Sequence, residues 1–460
     1  MEVRRGEHTT DSGTAESGMI RRRLAHLRQS LLWSRLKSIA HLFAGNWSNT
    51  LLMLVGTTIA ARALGAEIYG VFALVLTVGR LCERLVRFES WQPLIRFAAN
   101  EELDFNNERM ASLFLYGLLL DIGSALLAAL LTLCAGYLLL PVIDLRPEDM
   151  PLVAIYAVAI ALNIRGFPTA ALRLNGQFKM LAYLQMFSSI VRVLLAFLAL
   201  ELGMGIMAFV LIWTFAQALD AILFLAVSFR SLRQQGVSNP LTAEWRGLTE
   251  KFPGFMRFAW SSNLSSTLRT LTQEADTLLV GALAGASSAG FYHISKRIAK
   301  VAMQVGAIIQ AVIYPDMARM WAKLEISAFR AMTSRLQLAL AGAGIAILGV
   351  TLLIGKPAIE FAFGSKFLDV YPLLVAQLIA VILILHAAPS RSALLAMNRS
   401  GLVLGVAICS TAVFFAVAFF TIPSYGAMGA NIAHIAFGCL TVVAMDLAWW
   451  RGSRQADSGA

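Results

Sequence analysis

The sequence predicts an all-α polytopic membrane protein, with twelve transmembrane helices in two six-helix bundles related by a parallel repeat. Three observations predict it. The first is composition: of 460 residues, 58% are hydrophobic and only 14% charged, with a mean hydropathy of +0.70. Apolar runs able to cross about 30 Å of hydrocarbon recur along nearly the whole chain. Backbone groups in lipid need internal partners, so such runs imply helices; a barrel would show short alternating segments. The second is the distribution of Lys and Arg, which orients the spans. The third is an internal repeat. Gly65-Ala66, three residues, Gly70, Val71 and Phe72 recur as Gly285-Ala286, three residues, Gly290, Phe291 and Tyr292, and the same offset of 220 carries Arg80 onto Lys300.

Taken in order, residues 1–38 form a basic arm. Arg21, Arg22 and Arg23 precede Leu24, Leu27, Leu31 and Leu32 at helical spacing, which predicts an interfacial helix held to anionic lipid. No short apolar segment with a small-residue cleavage site follows, so the arm is not read as a cleaved signal peptide. Met1 and Met19 both stand open as the start. Twelve spans are then expected at about 39–61, 68–88, 113–140, 152–174, 181–202, 205–229, 254–283, 288–315, 336–355, 370–397, 402–422 and 425–450. With the N-terminus inside, about 26 Lys and Arg fall on the cytoplasmic side and 4 (Arg62, Arg146, Lys356, Lys366) on the other, placing both termini in the cytoplasm. The polar stretch 230–253, read as a solvated linker, divides the bundles 39–229 and 254–450; residues 451–460 are a cytoplasmic tail.

Pro168 and Pro389 sit near the inner ends of the fourth and tenth spans at almost matching positions. Paired breaks in matching helices point to a substrate path, although proline in a membrane helix is also common without function. The net charge of +11 follows from cytoplasmic retention of Lys and Arg and implies no nucleic acid. Cys82, Cys134, Cys409 and Cys439 lie in apolar runs without ligand spacing, so they read as buried thiols, implying neither disulfide nor metal. No HExxH, GxSxG or Walker pattern occurs and the outer loops are short, so the chain is not read as an enzyme and no cofactor is implied.

Charges inside the spans carry the functional information, because each costs about 2.5 to 3.5 kcal/mol at a helix centre. The cations are Arg80, Arg84, Arg165, Arg192, Arg269, Lys296, Arg297 and Lys300; the anions are Glu83, Asp121, Asp220, Glu274, Asp276 and Asp446. Arg80 and Arg84 share a face, with Glu83 beside Arg80 to moderate the cost, and His293, Lys296 and Lys300 form one stripe. Arg80, Arg165, Arg192, Arg269, Lys296 and Lys300 are the candidate substrate-binding residues: midplane cations lining one cavity would hold an anion, and guanidinium suits phosphate. Asp121, Asp220 and Asp276, with the two prolines, are candidates for coupling or gating. The competing account is private ion pairing, for instance Arg269 with Asp276, and for Asp121 and Asp220 a buried, hydrogen-bonded structural acid. His41, His386 and His434, isolated on apolar helices, read as packed or hydrogen-bonded.

RALGAEIYGVFAL (62–74) resembles a signature of the polysaccharide transporter family, the Wzx-type flippases of the multidrug/oligosaccharidyl-lipid/polysaccharide exporter superfamily. EADTLLVGALAGASSAGFYHISKRIAKV (274–301) is similar to its second-half signature, FGSKFLDVYPLL (363–374) and YGAMGANIAHI (425–435) to later landmarks, so that the resemblance covers about residues 38–450. It implies two bundles that open alternately to either side of a bacterial inner membrane. It also implies a polyprenyl-diphosphate-linked oligosaccharide, moved from inner to outer leaflet for lipopolysaccharide, capsule or exopolysaccharide, in contact with membrane lipids and in association with polysaccharide assembly machinery. Asp276 matches the second-half aspartate. Twelve spans rather than fourteen weigh against a lipid II flippase. A multidrug antiporter of the same superfamily would want an acidic cavity, a membrane polymerase or ligase a long outer loop with catalytic Arg or His, and a scaffold no continuous polar path.

Overall fold

The computed structural model describes residues 12–88, 90–101, 107–139 and 141–458, with the side chains of 12–46, 100–101, 261–262, 264–273, 305, 307–315 and 456–458 outside the description. Among the described residues the chain is helical, with no strand. The helices are α1 (Ser12–Val86), α2 (Trp91–Glu101), α3 (Asn107–Leu139), α4 (Met150–Ala161), α5 (Gly166–Leu174), α6 (Phe178–Glu201), α7 (Ile206–Gln234), α8 (Leu248–Lys251), α9 (Phe255–Ala322), α10 (Ile326–Phe363), α11 (Val370–Ala396), α12 (Ser400–Tyr425) and α13 (Ala427–Ser458). Among the described residues, ten helical segments are long and apolar enough to cross a membrane.

Two of those ten contain a corner made by one residue. Gly65 (φ 72, ψ 172) interrupts α1 and Gly285 (φ 85, ψ 168) interrupts α9, in a region of backbone space that only glycine enters freely. The arms that follow, 66–86 and 286–322, cross backbone to backbone. A Cβ placed on Gly70 would lie 2.0 Å from the carbonyl oxygen of Ala286, and one on Gly290 would lie 3.0 Å from Gly70 Cα. Glycine at 70 is therefore required by contact with the other helix, while at 65 and 285 it is required by conformation.

The crossing makes the α1–α9 contact the most extensive in the molecule; around it α1 also packs on α6 and α3, and α9 on α11, with α11 and α12 on α13. The largest apolar core joins Phe72, Leu74, Trp213, Val280, Tyr292 and Phe414 across both arms.

Where described, the expected apolar stretches are helical apart from one or two residues at some ends, the turn at Gly426 and the interruption at 162–165, and four readings need correction. The fourth stretch is two helices, α4 and α5, and Pro168 lies in the first turn of α5, where its missing N–H costs nothing. Pro389, by contrast, lies inside the unbroken α11, so the two prolines do not mark paired breaks. The stretch 230–253 is not a free loop. α7 runs to Gln234, Leu248 and Phe252 are buried against α3 and α5, and Arg109 Nη2 donates to the Lys251 carbonyl at 3.2 Å. Cys134, Cys409 and Cys439 are exposed on their helices, leaving only Cys82 buried; a thiol is apolar enough to face outward there. The amphipathic α2, with Leu94 and Ala98 buried, went unread because it is short and follows a span directly. The lipid-facing role expected for the arm 1–38 falls on residues or side chains outside the description.

Candidate substrate-binding site

Where α1 meets α9 the charges expected inside the spans form a belt. Arg80, about four turns beyond the Gly65 corner, has Nε 3.3 Å from Glu274 Oε2, an ion pair too skewed for a hydrogen bond. Its Nη2 lies 3.0 Å from Thr77 Oγ1 and 3.2 Å from His293 Nε2, and His293 Nδ1 is 2.8 Å from the Tyr69 hydroxyl. Glu83, expected to moderate Arg80, instead pairs with Arg87 one turn along the same helix and accepts from Asn163 Nδ2 at 2.5 Å. That pairing follows from i,i+4 spacing, which brings Arg87 over Glu83.

Asp276 is the hub of the second half, with none of its surface exposed. It accepts from Lys296 Nζ at 2.6 Å, the Tyr292 hydroxyl at 2.8 Å, and the Thr277 backbone N–H at 2.6 Å and hydroxyl at 3.1 Å; His434 Nε2 lies 3.0 Å away. The hub thereby ties both arms of α9 to α13. A buried carboxylate with this many donors is held charged by its surroundings rather than by water.

The candidates on the other helices are distributed as follows. Arg165, in the α4–α5 gap, pairs with Asp220 of α7, which also accepts from Ser188 Oγ at 2.7 Å. Asp121 is buried and accepts the Phe167 backbone N–H at 2.5 Å, satisfying a free donor at the start of α5. Its observed contacts are those of a structural acid. Arg192 of α6 touches the Met53 sulfur and sits 5.6 Å from the centre of the Trp213 ring, with a buried Nε that has no partner. The side chain of Arg269 is outside the description. His386 and His434 are hydrogen-bonded, as isolated membrane histidines should be, His386 to Asp446 at 3.0 Å.

These groups are continuous. Arg297 is within electrostatic reach of Arg80, Glu274 and Arg192, and Lys300 of Arg297, Glu274, Arg80 and Lys296. Arg165 in turn senses Glu83, Arg87 and Arg192, and the Tyr156 hydroxyl stands among Arg80, Glu83, Arg192 and Arg297. Arg80, Arg87, Arg165, Arg192, Lys296, Arg297 and Lys300 thus share the belt with Glu83, Asp220, Glu274 and Asp276, all four used by ion pairs, and with Asp121, which lies within reach of Arg87 and is engaged by backbone hydrogen bonding. Among the described residues Arg192, Arg297 and Lys300 have no carboxylate partner. Arg297 was not among the expected binding residues because it falls between the Lys296 and Lys300 stripe; its neighbours on a second helix, which give it its place, are invisible to spacing. A groove of about 620 Å³ at the linker, between Tyr116, Trp245, Thr249 and Met256, touches none of the belt.

The sequence family described as polysaccharide biosynthesis protein matches residues 35–321, more than half of the chain. This protein belongs to that family. Its relatives include the inner membrane protein YghQ of Escherichia coli (strain K12), 23% identical over 343 residues, covering 74% of this chain and 95% of YghQ. Among solved structures, an inward-facing multidrug resistance MATE family transporter of the MOP superfamily superposes with TM-score 0.69 at 13% identity, covering 89% of this chain and 95% of the transporter. The lipid II flippase MurJ in an inward closed conformation gives TM-score 0.69 at 14% identity, covering 88% and 87%. At such identities the likeness establishes the fold, which is that of the MOP-superfamily transporters, and leaves the substrate to be argued from the site.

Proposed function

We propose that this protein flips a polyprenyl-diphosphate-linked oligosaccharide from the inner to the outer leaflet of the bacterial inner membrane, for lipopolysaccharide, capsule or exopolysaccharide assembly. The observation that carries this reading is the cationic surplus: Arg192, Arg297 and Lys300 are left over once every belt carboxylate is engaged. Guanidinium and ammonium groups at bilayer depth are costly without a counter-charge, and a diphosphate entering the belt supplies one. In this reading Arg80, Arg165 and Lys296 shape the belt from within their ion pairs and exchange onto the diphosphate as it passes, and Arg269 joins them from α9. The sugar crosses through the polar interior while the polyprenyl tail stays in lipid. Asp276 holds the arms of α9 against α13, Asp220 ties α7 to Arg165 and α6, and the assembly machinery receives the product outside.

Counting the arms of α1 and of α9 separately, and α4 with α5 as one, gives twelve crossings in two sets of six. The contacts support that division, since α3–α7 pack with one another and on α1, and α10–α13 with one another and on α9. The Lys and Arg asymmetry then places both termini in the cytoplasm. A cationic-drug antiporter is the poorer reading, because a belt with seven cations and five carboxylates repels its substrate.

Single replacements Arg192→Ala, Arg297→Ala and Lys300→Ala are expected to leave the protein inserted at normal level. Surface polysaccharide should be lost, with lipid-linked saccharide accumulating on the inner leaflet. Normal surface polysaccharide in all three variants rejects the assignment.

A further inference from the structure

We propose that two outer loops, one from each half of the chain and each seated on the other half's cornered helix, form the release gate, and that both must let go before substrate leaves; the proposal rests on the transport reading above. The first loop joins α3 to α4. Asp144 has a left-handed backbone (φ 55) that aims its carboxylate across the molecule, where Oδ2 accepts the backbone N–H of Ala286 at 3.0 Å. Ala286 opens the 286–322 arm, and the free N–H groups at a helix start favour a carboxylate there. Ile143 and Leu145, on either side of Asp144, are buried in the core and anchor the loop, while Asp144 itself stays exposed to water.

The second loop joins α10 to α11. Phe367, buried, stands edge-on to Tyr69 of the 66–86 arm at 6.5 Å between ring centres and 79°, and edge-on to Phe291 at 5.9 Å and 87°. Each loop therefore belongs to one half and holds the other. Between them lies the Gly70–Gly290 crossing, made of bare backbone. At the Gly70–Gly290 contact itself no side chains interlock, so at that level the arms can part without repacking, and what closes them there is whatever brackets the contact. On the face assigned to the outside, that bracket is a carboxylate cap from one half and an aromatic edge from the other.

The test uses the full-length protein with its four cysteines replaced by alanine, in right-side-out vesicles. Ala289, fully buried in the 286–322 arm, is replaced (Ala289→Cys) and the rate of labelling by a membrane-impermeant maleimide is followed. Adding Asp144→Ala with Phe367→Ala is expected to speed labelling about tenfold, since the closed state loses its bracket; an unchanged rate overturns the gate. This readout needs no substrate, so it stands or falls apart from the flippase reading. In a second arm, a short reversible crosslink between Tyr69→Cys and Phe367→Cys should stop translocation until reduced. The same crosslink between Phe291→Cys and Phe367→Cys, both in one half, should not. Translocation through the crosslinked Tyr69–Phe367 pair also overturns the proposal.

Discussion

The two cornered helices share a backbone and differ in chemistry. On the offset of 220, Gly56, Thr57, Phe72 and Leu76 correspond to Asp276, Thr277, Tyr292 and Lys296, and Trp213 corresponds, one residue displaced, to His434. In the first half these positions pack dry. The Trp213 ring reaches toward Gly56, 3.6 Å from where a Cβ would stand, and meets Phe72 edge-on at 5.1 Å and 88°, with Leu76 buried alongside. In the second half the partners matching Gly56, Phe72, Leu76 and Trp213 have become polar, the threonine being shared, and the site is held by the hydrogen bonds and ion pairs converging on Asp276. The same corner can thus be braced by apolar volume or by a saturated carboxylate. Only the second solution adds charge to the belt, and Lys300, matching Arg80 beyond the two corners, completes it.

The widest break in this comparison comes from the element both halves share. Gly70→Leu puts a side chain into the carbonyl of Ala286 and is expected to abolish folded, monodisperse protein, measured by size-exclusion in detergent. Gly290→Ala, whose nearest neighbour is 3.0 Å away, should survive with a lowered melting temperature. Next comes Asp276→Ala, which strands Lys296, Tyr292 and His434 and should cost about 3 to 5 kcal/mol in thermal unfolding. The comparison is sharpened by adding Tyr292→Phe, Lys296→Leu and His434→Trp, with glycine at 276, to copy the first half. That set is expected to recover much of the stability while losing translocation; a set no more stable than Asp276→Ala alone would mean the two halves are not interchangeable. The smallest effect is Tyr292→Phe by itself, about 1 kcal/mol for one hydrogen bond, with translocation retained.

Legibility followed the range of the interaction. Spans were readable because hydropathy is summed along one helix, and the corners because Gly65 and Gly285 recur with the same neighbours. Arg80, Arg165, Arg192, Lys296 and Lys300 were readable as costly residues and do converge on one belt. Their partners were not. Glu83 is adjacent in sequence to the residues near Arg80 yet serves Arg87 and Asn163, while Arg80 is met by Glu274, nearly 200 residues away. Pro168 and Pro389 looked equivalent because sequence shows the residue and not whether the helix around it persists.

What the sequence determined by itself is the helical membrane architecture, the duplicated corner, the family and the presence of more cations than anions at depth, since each follows from local composition or from a motif repeated along the chain. Which cations remain unpaired, and that Asp144 and Phe367 reach across to the opposite half, was decided only in three dimensions. Both depend on the angle and depth at which two glycine-cornered helices cross, and that geometry arises from contacts among residues that no periodicity connects.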